Sequence, residues 1–238
     1  TAMTKSVANR SLLHRALRLL CTAALLAVGA SPVVARVPTG AALDAEVARA
    51  MTATQSRGLA IAIIDKGRVV RVRSYGARNA AGAPLQTDTI MYGASLTKSA
   101  FAYMVMQLVE EGRLDLDRTL AGYLDRPLPD YPTEHKYAPW VDLAGDERWR
   151  SITARHALTH SVGFANFAFV EPDGKLRFHF DPGARYAYSG EGMILLQFAI
   201  ERGLGLDVGV EMQRRVFDRF GMKNTSMIWR PDFATNLA

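Results

Sequence analysis

Met91-Tyr92-Gly93-Ala94-Ser95-Leu96-Thr97-Lys98 sets a serine three residues before a lysine at the mouth of an amphipathic stretch. Phe101, Met104, Val105, Leu108 and Val109 then recur at helical spacing until Gly112 ends them. Residues three apart on a helix share a face, so the amine of Lys98 reaches the hydroxyl of Ser95. A serine hydroxyl is a weak nucleophile at neutral pH and needs such a base beside it. A helix N-terminus also carries partial positive charge and free N–H groups, which receive developing negative charge. The apolar stripe behind the pair predicts core. Ser-x-x-Lys alone is short enough to arise by chance, and a capping serine with a solvated lysine has the same spelling. Its surroundings decide between the two.

Upstream, Leu43, Val47, Ala50 and Met51 predict a helix over 41–54. Two β-rich runs, Gly58 to Ile64 and Val69 to Tyr75, flank Asp65-Lys66-Gly67, which predicts a hairpin with Gly67 available for positive φ. Downstream, Leu114 to Asp146 is rich in turn residues, with Pro127, Pro129 and Pro132, and predicts an irregular connection that either lines or covers a cleft or is plain surface loop. A short helix is expected after Thr153, carrying Arg155 to Leu158. Pro182-Gly183 predicts a turn into Tyr186-Ala187-Tyr188-Ser189-Gly190. Glu191 to Arg202 predicts a helix stopped by Gly203, and Asp207 caps a last one through Met212 and Val216 to Phe220.

Hydrophobic residues at 49% and charged ones at 22% over 238 residues describe an ordinary globular chain with one domain's worth of core. The net charge of +6 is unevenly spread: Lys5, Arg10, Arg15 and Arg18 lie in the first 35 residues, which hold no acid. The remainder is close to neutral, which gives no case for a nucleic-acid partner. Residues 1–35 read as a secretory signal, with a basic stretch to Arg18, an apolar run from Leu19 to Val28 and small residues after which cleavage fits, Ala30 or Ala35. That predicts a periplasmic or secreted protein with no stable membrane span after cleavage. The single cysteine, Cys21, lies inside the apolar run, so the exported body would hold no disulfide and no thiolate.

The order of elements and five landmarks resemble the serine β-lactamase and penicillin-binding protein superfamily, in its class C β-lactamase-like branch of esterases and D-Ala-D-Ala carboxypeptidases. The landmarks are Ser95-Leu96-Thr97-Lys98, Gly112-Arg113-Leu114-Asp115-Leu116-Asp117, the run from Ile152 to Phe164, the run from Pro182 to Gly190, and Val216-Phe217-Asp218-Arg219-Phe220-Gly221-Met222. The resemblance implies an α+β, multi-layer fold in which an antiparallel sheet is flanked by helices beside a mostly helical domain. It implies Ser95 as the acylated nucleophile, Lys98 as its proton-transfer partner and Tyr188 as the tyrosine of the family's Tyr-x-Asn motif. A phenol near ammonium groups is pushed toward phenolate and can relay protons. It implies no cofactor and no metal, and a small-molecule or peptide substrate; the oligomeric state is not legible.

Two departures matter. Gly190 stands where the family often has the substrate-contacting asparagine, which favours an esterase or peptidase over an efficient lactamase. No Lys-Thr-Gly or His-Thr-Gly follows Tyr188. With Thr1 ahead of Met3, this predicts residues 36–238 as a partial domain lacking its C-terminal strands, with the sheet incomplete. The expected function is therefore an exported serine hydrolase acting through an acyl-enzyme on an amide, ester or β-lactam carbonyl. The alternatives are a non-catalytic penicillin or peptidoglycan-peptide binder and an inactive truncated homologue. His156 and His160 have zinc-compatible spacing, but Ala157 takes the place of the glutamate in His-Glu-x-x-His, so packing or capping roles are expected for both.

Overall fold

The computed structural model describes residues 39–238, so the predicted signal segment and Cys21 lie outside the described residues. The chain divides into two units. The first holds helix α1 (Gly40–Thr54) and the tip of a hairpin, Ala62–Arg71; the second holds Arg57–Ile61 and everything from Val72 onward. In the first unit Leu43 and Val47 are buried on one stripe of α1, and Asp44 pairs with Arg71 at 3.5 Å.

The hairpin joins β1 (Gly58–Asp65) to β2 (Arg68–Gly76) as a two-stranded antiparallel sheet. Lys66 and Gly67 both have positive φ, 48° and 73°. Two left-handed residues make the tight turn whose twist matches paired strands, so the turn uses Lys66 as well as the expected Gly67. No third strand joins this sheet among the described residues.

The second unit is helical. Helix α2 (Thr97–Glu110) buries Phe101, Met104, Val105 and Leu108. Short helix α3 (Ala154–Leu158) starts from a capping box: Thr153 Oγ1 accepts from His156 N–H at 3.2 Å, and His156 Nδ1 accepts from Thr153 N–H at 3.3 Å. Ser189 caps α4 (Gly190–Gly203) by accepting from Gly192 N–H at 3.0 Å, and Asp207 caps α5 (Val208–Met212) by accepting from Val210 N–H at 2.9 Å. Helix α5 runs into a π turn, Gln213–Phe217.

The irregular stretch from Leu114 to Asp146 departs from expectation. It forms short helical turns that bury Leu120, Leu128, Trp140 and Leu143. Phe198 of α4 meets Tyr131 and Tyr137 edge-on at 4.9 Å and Trp140 at 5.5 Å. Aromatic contacts of this kind add about 1 kcal/mol each beyond area burial, so the stretch is part of the core. No residue of it lines the pocket beside Ser95. The proline-rich composition signalled backbone irregularity and hid the apolar anchors between the turns.

Candidate active site

Ser95 lies in a single 3-10 turn, Ala94–Leu96, immediately before α2. Its lead-in is held at Ile90, which donates to Asn236 O at 2.9 Å and accepts from Ala238 N–H at 2.9 Å. Ala94 has φ 42°, a left-handed conformation that costs an L-residue roughly 1–2 kcal/mol. Strain of this sort persists only where the surroundings impose it, and here it falls on the residue before the serine. The turn then presents Ser95 to solvent.

Three side chains meet at this point. Lys98 Nζ donates to Ser95 Oγ at 3.1 Å, and Tyr188 OH lies 2.8 Å from the same oxygen. The Lys98 ammonium also sits 5.2 Å from the centre of the Tyr188 ring. Tyr188 comes from a turn 93 residues later in sequence, so the contact is a product of the tertiary fold. Hydrogen bonding to Lys98, reinforced by that to Ser95, holds the phenol below its ordinary range despite the opposing effect of desolvation. Tyr186 and Tyr188 are both exposed, so neither is a core aromatic.

The Tyr188 turn is fixed from behind by His160. Ala187 N–H donates to His160 O at 2.8 Å, Ser189 N–H donates to His160 Nδ1 at 3.2 Å, and the imidazole lies against the Tyr188 ring with centroids 4.4 Å apart. Burial, with Lys98 nearby, pushes the imidazole below the usual histidine range against the opposing hydrogen bond to the Ser189 backbone. Sequence spacing assigned His160 only a packing or capping role. Its packing partner turns out to be the candidate proton relay, a contact between residues 28 apart that no local pattern encodes. His156 completes the capping box of α3 by accepting from the N–H of the cap residue Thr153.

Gly190, the fourth expected position, lines a cavity of about 170 Å³ that opens beside Lys98. Its other walls include Phe101, Phe167, Met193 and Ile194. Phe167 carried no signal in the sequence.

A serine hydroxyl held between a lysine amine and a tyrosine phenol fits an enzyme of the acyl-transfer class. Residues 43–238 match the Beta-lactamase family, and the chain belongs to it. It is similar to monacolin J acid methylbutanoyltransferase of Aspergillus terreus, 30% identical over 80% of this chain and 52% of that protein. It also resembles lovastatin esterase of Penicillium rubens, 28% identical over 65% of this chain and 44% of the relative. The chain thus spans about half the length of these relatives. In structure it resembles the D-alanine carboxypeptidase AmpC of Burkholderia cenocepacia, with a TM-score of 0.64 and 21% identity over 82% of this chain and 52% of that one. The octameric penicillin-binding protein homologue of Pyrococcus abyssi gives a TM-score of 0.63 and 24% identity over 82% and 46%. These likenesses show the β-lactamase/transpeptidase-like fold, here with an open two-stranded sheet.

Proposed function

We propose that the protein is an exported serine hydrolase that works through an acyl-enzyme, with an ester as its substrate. The observation that carries this is the convergence of Lys98 Nζ and Tyr188 OH on one Ser95 oxygen. Tyr188, poised toward phenolate by Lys98, accepts the Ser95 proton as Oγ attacks the carbonyl. The tetrahedral oxyanion collapses, the alcohol leaves with the proton returned through Tyr188, and Ser95 is left acylated. Water then attacks the acyl carbon along the reverse proton path and frees the serine. Lys98 keeps the phenol ionisable and stays close enough to compensate charge at each step.

A β-lactam is disfavoured because Gly190 offers no side-chain amide to hold it, and of the ester and peptide left the ester is preferred. The esterase and acyltransferase among the relatives point the same way. Export rests on the basic-then-apolar pattern of residues 1–35 and leads to the periplasm or the exterior. The uncovered apolar side chains of the hairpin, together with the half-length match to relatives, support completion of the sheet by further strands.

The test is covalent labelling of the protein expressed from its whole reading frame. A fluorophosphonate and a fluorescent penicillin are applied to it and to Ser95→Ala and Lys98→Ala, with the adduct mapped by mass spectrometry and ester turnover followed in parallel. Label at Ser95 with steady turnover is the expected result. Label that stops at one equivalent would identify a penicillin binder, and a folded protein with no label at Ser95 would leave only a structural role.

A further inference from the structure

Gly190 is a place where a side chain cannot stand. A β-carbon built there would meet Phe167 Cε1 at 2.5 Å and Cζ at 2.8 Å, with Asn166 O at 3.0 Å. Real β-carbons essentially never approach that closely, so the phenyl ring occupies the volume that any residue other than glycine would need. The ring is placed deliberately by the backbone around it. Ser189 Oγ donates to Ala165 O at 2.9 Å, Gly190 N–H to Asn166 Oδ1 at 2.9 Å, Glu191 N–H to Asn166 O at 3.0 Å, and Ala168 N–H to Glu191 Oε1 at 2.9 Å. Four hydrogen bonds within four residues tie the loop 165–168 to the start of α4, and Phe169 stacks on the outer face of Phe167 at 5.0 Å. The backbone that carries the ring is therefore held in place.

We propose that Phe167, seated on Gly190, is the specificity-determining wall of an acyl subsite that accepts the aliphatic chain of a short carboxylic ester. This rests on the hydrolase reading of Ser95 above. The cavity that Phe167 and Gly190 line begins at Lys98, so an acyl group on the neighbouring serine has it as an adjoining apolar space. Phe101, Met193 and Ile194 continue the same apolar wall. An apolar protein cavity of about 150 Å³ takes a guest the size of benzene, so about 170 Å³ suits a chain of roughly six carbons. Thr97, Lys98 and Gln197 also line the cavity, so a polar acylamino group is disfavoured where it lies against the Phe167 ring itself.

The experiment measures kcat/KM for p-nitrophenyl acetate, butyrate, hexanoate, octanoate and decanoate with the protein from its whole reading frame, alongside Phe167→Ala and Phe167→Leu. The wild type is expected to peak at hexanoate. Phe167→Ala should raise the decanoate-to-butyrate ratio about tenfold, the worth of one or two extra methylenes in an apolar pocket, and Phe167→Leu should move it less in the same direction. Variants that scale every ester by one factor would overturn the proposal. So would a wild type that takes label at Ser95 yet prefers an acylamino substrate to every ester. Absence of label at Ser95 would instead overturn the hydrolase reading beneath it, so the two failures are told apart.

Discussion

The helical body and the hairpin use similar residues and reach opposite outcomes. Met104, Val105 and Leu108 of α2 and Leu196 and Ile200 of α4 have 0% of their surface exposed, whereas Ile64, Val69, Val70 and Val72 of the hairpin are 65%, 63%, 53% and 50% exposed. Strand propensity and a left-handed turn suffice to form the hairpin, but only a packed neighbour can bury its valines. Ser95, Lys98 and Tyr188 all stand on the body, and that is why Tyr188, 93 residues away in sequence, comes within hydrogen-bonding distance of the Ser95–Lys98 pair. The lesson is that the candidate site stands on the part of the molecule whose geometry is over-determined.

The largest expected effect separates chemistry from that scaffold. Tyr188→Phe keeps the ring against His160 and removes only the hydroxyl. Acylation of Ser95, followed by stopped-flow with a chromogenic ester, should fall about a thousandfold while the circular dichroism spectrum is unchanged. A variant of near wild-type rate would show that Lys98 alone moves the proton.

The next effect tests the contrast directly. Leu196→Ala opens a cavity in the closed body and should cost about 3 kcal/mol in urea unfolding. Val70→Ala, a comparable truncation on the exposed hairpin, should cost no more than about 0.5 kcal/mol. Equal costs would mean that the hairpin valines are covered in solution, by further strands or by another molecule.

A smaller effect concerns pH. Lys98 holds Tyr188 below the ordinary phenol range, so the rate of Ser95 acylation should rise with pH on a limb centred below about 10. Removing the ammonium in Lys98→Met removes the main cause of the depression and should carry that limb upward. The midpoint comes from pre-steady-state rates. A limb that stays in place would assign the ionisation elsewhere.

Much of this was legible in the sequence. The helix over 41–54, the hairpin at Lys66-Gly67, the helix starts after Thr153 and at Asp207, and the adjacency of Ser95 and Lys98 are all local, set by periodicity, capping chemistry and spacing within one turn. Tyr188 was assigned from its motif, since no local rule brings it to Ser95. What stayed hidden depends on contacts across long separations: His160 behind Tyr188, Phe167 over Gly190, and the apolar anchors Trp140 and Leu143 inside a proline-rich stretch. A glycine in a motif shows that a side chain is missing and does not show what has filled its place.

The smallest effect lies one residue beyond that glycine. Glu191 is buried at 5% exposure, its Oε1 accepts from Ala168 N–H at 2.9 Å, and its Oε2 has no partner. Burial raises its carboxyl above the ordinary range, and the single N–H bond only partly opposes this. The sign follows from proton binding. The folded form keeps a proton that the unfolded chain gives up at the ordinary carboxylate value, so stability falls as pH rises from there to the raised folded value and stays low above it. Glu191→Gln keeps the oxygen for Ala168 N–H and removes the charge. It should therefore raise Tm by about 2 °C at neutral pH and leave it unchanged in acid, as read by scanning calorimetry across pH. Since the same side chain ties down the loop that carries Phe167, the variant also shows whether its carboxylate serves position or charge. A stabilised variant with the wild-type order of ester preference would assign Glu191 to holding the loop, and the weak spot in an otherwise closed body would be a cost of locating that ring.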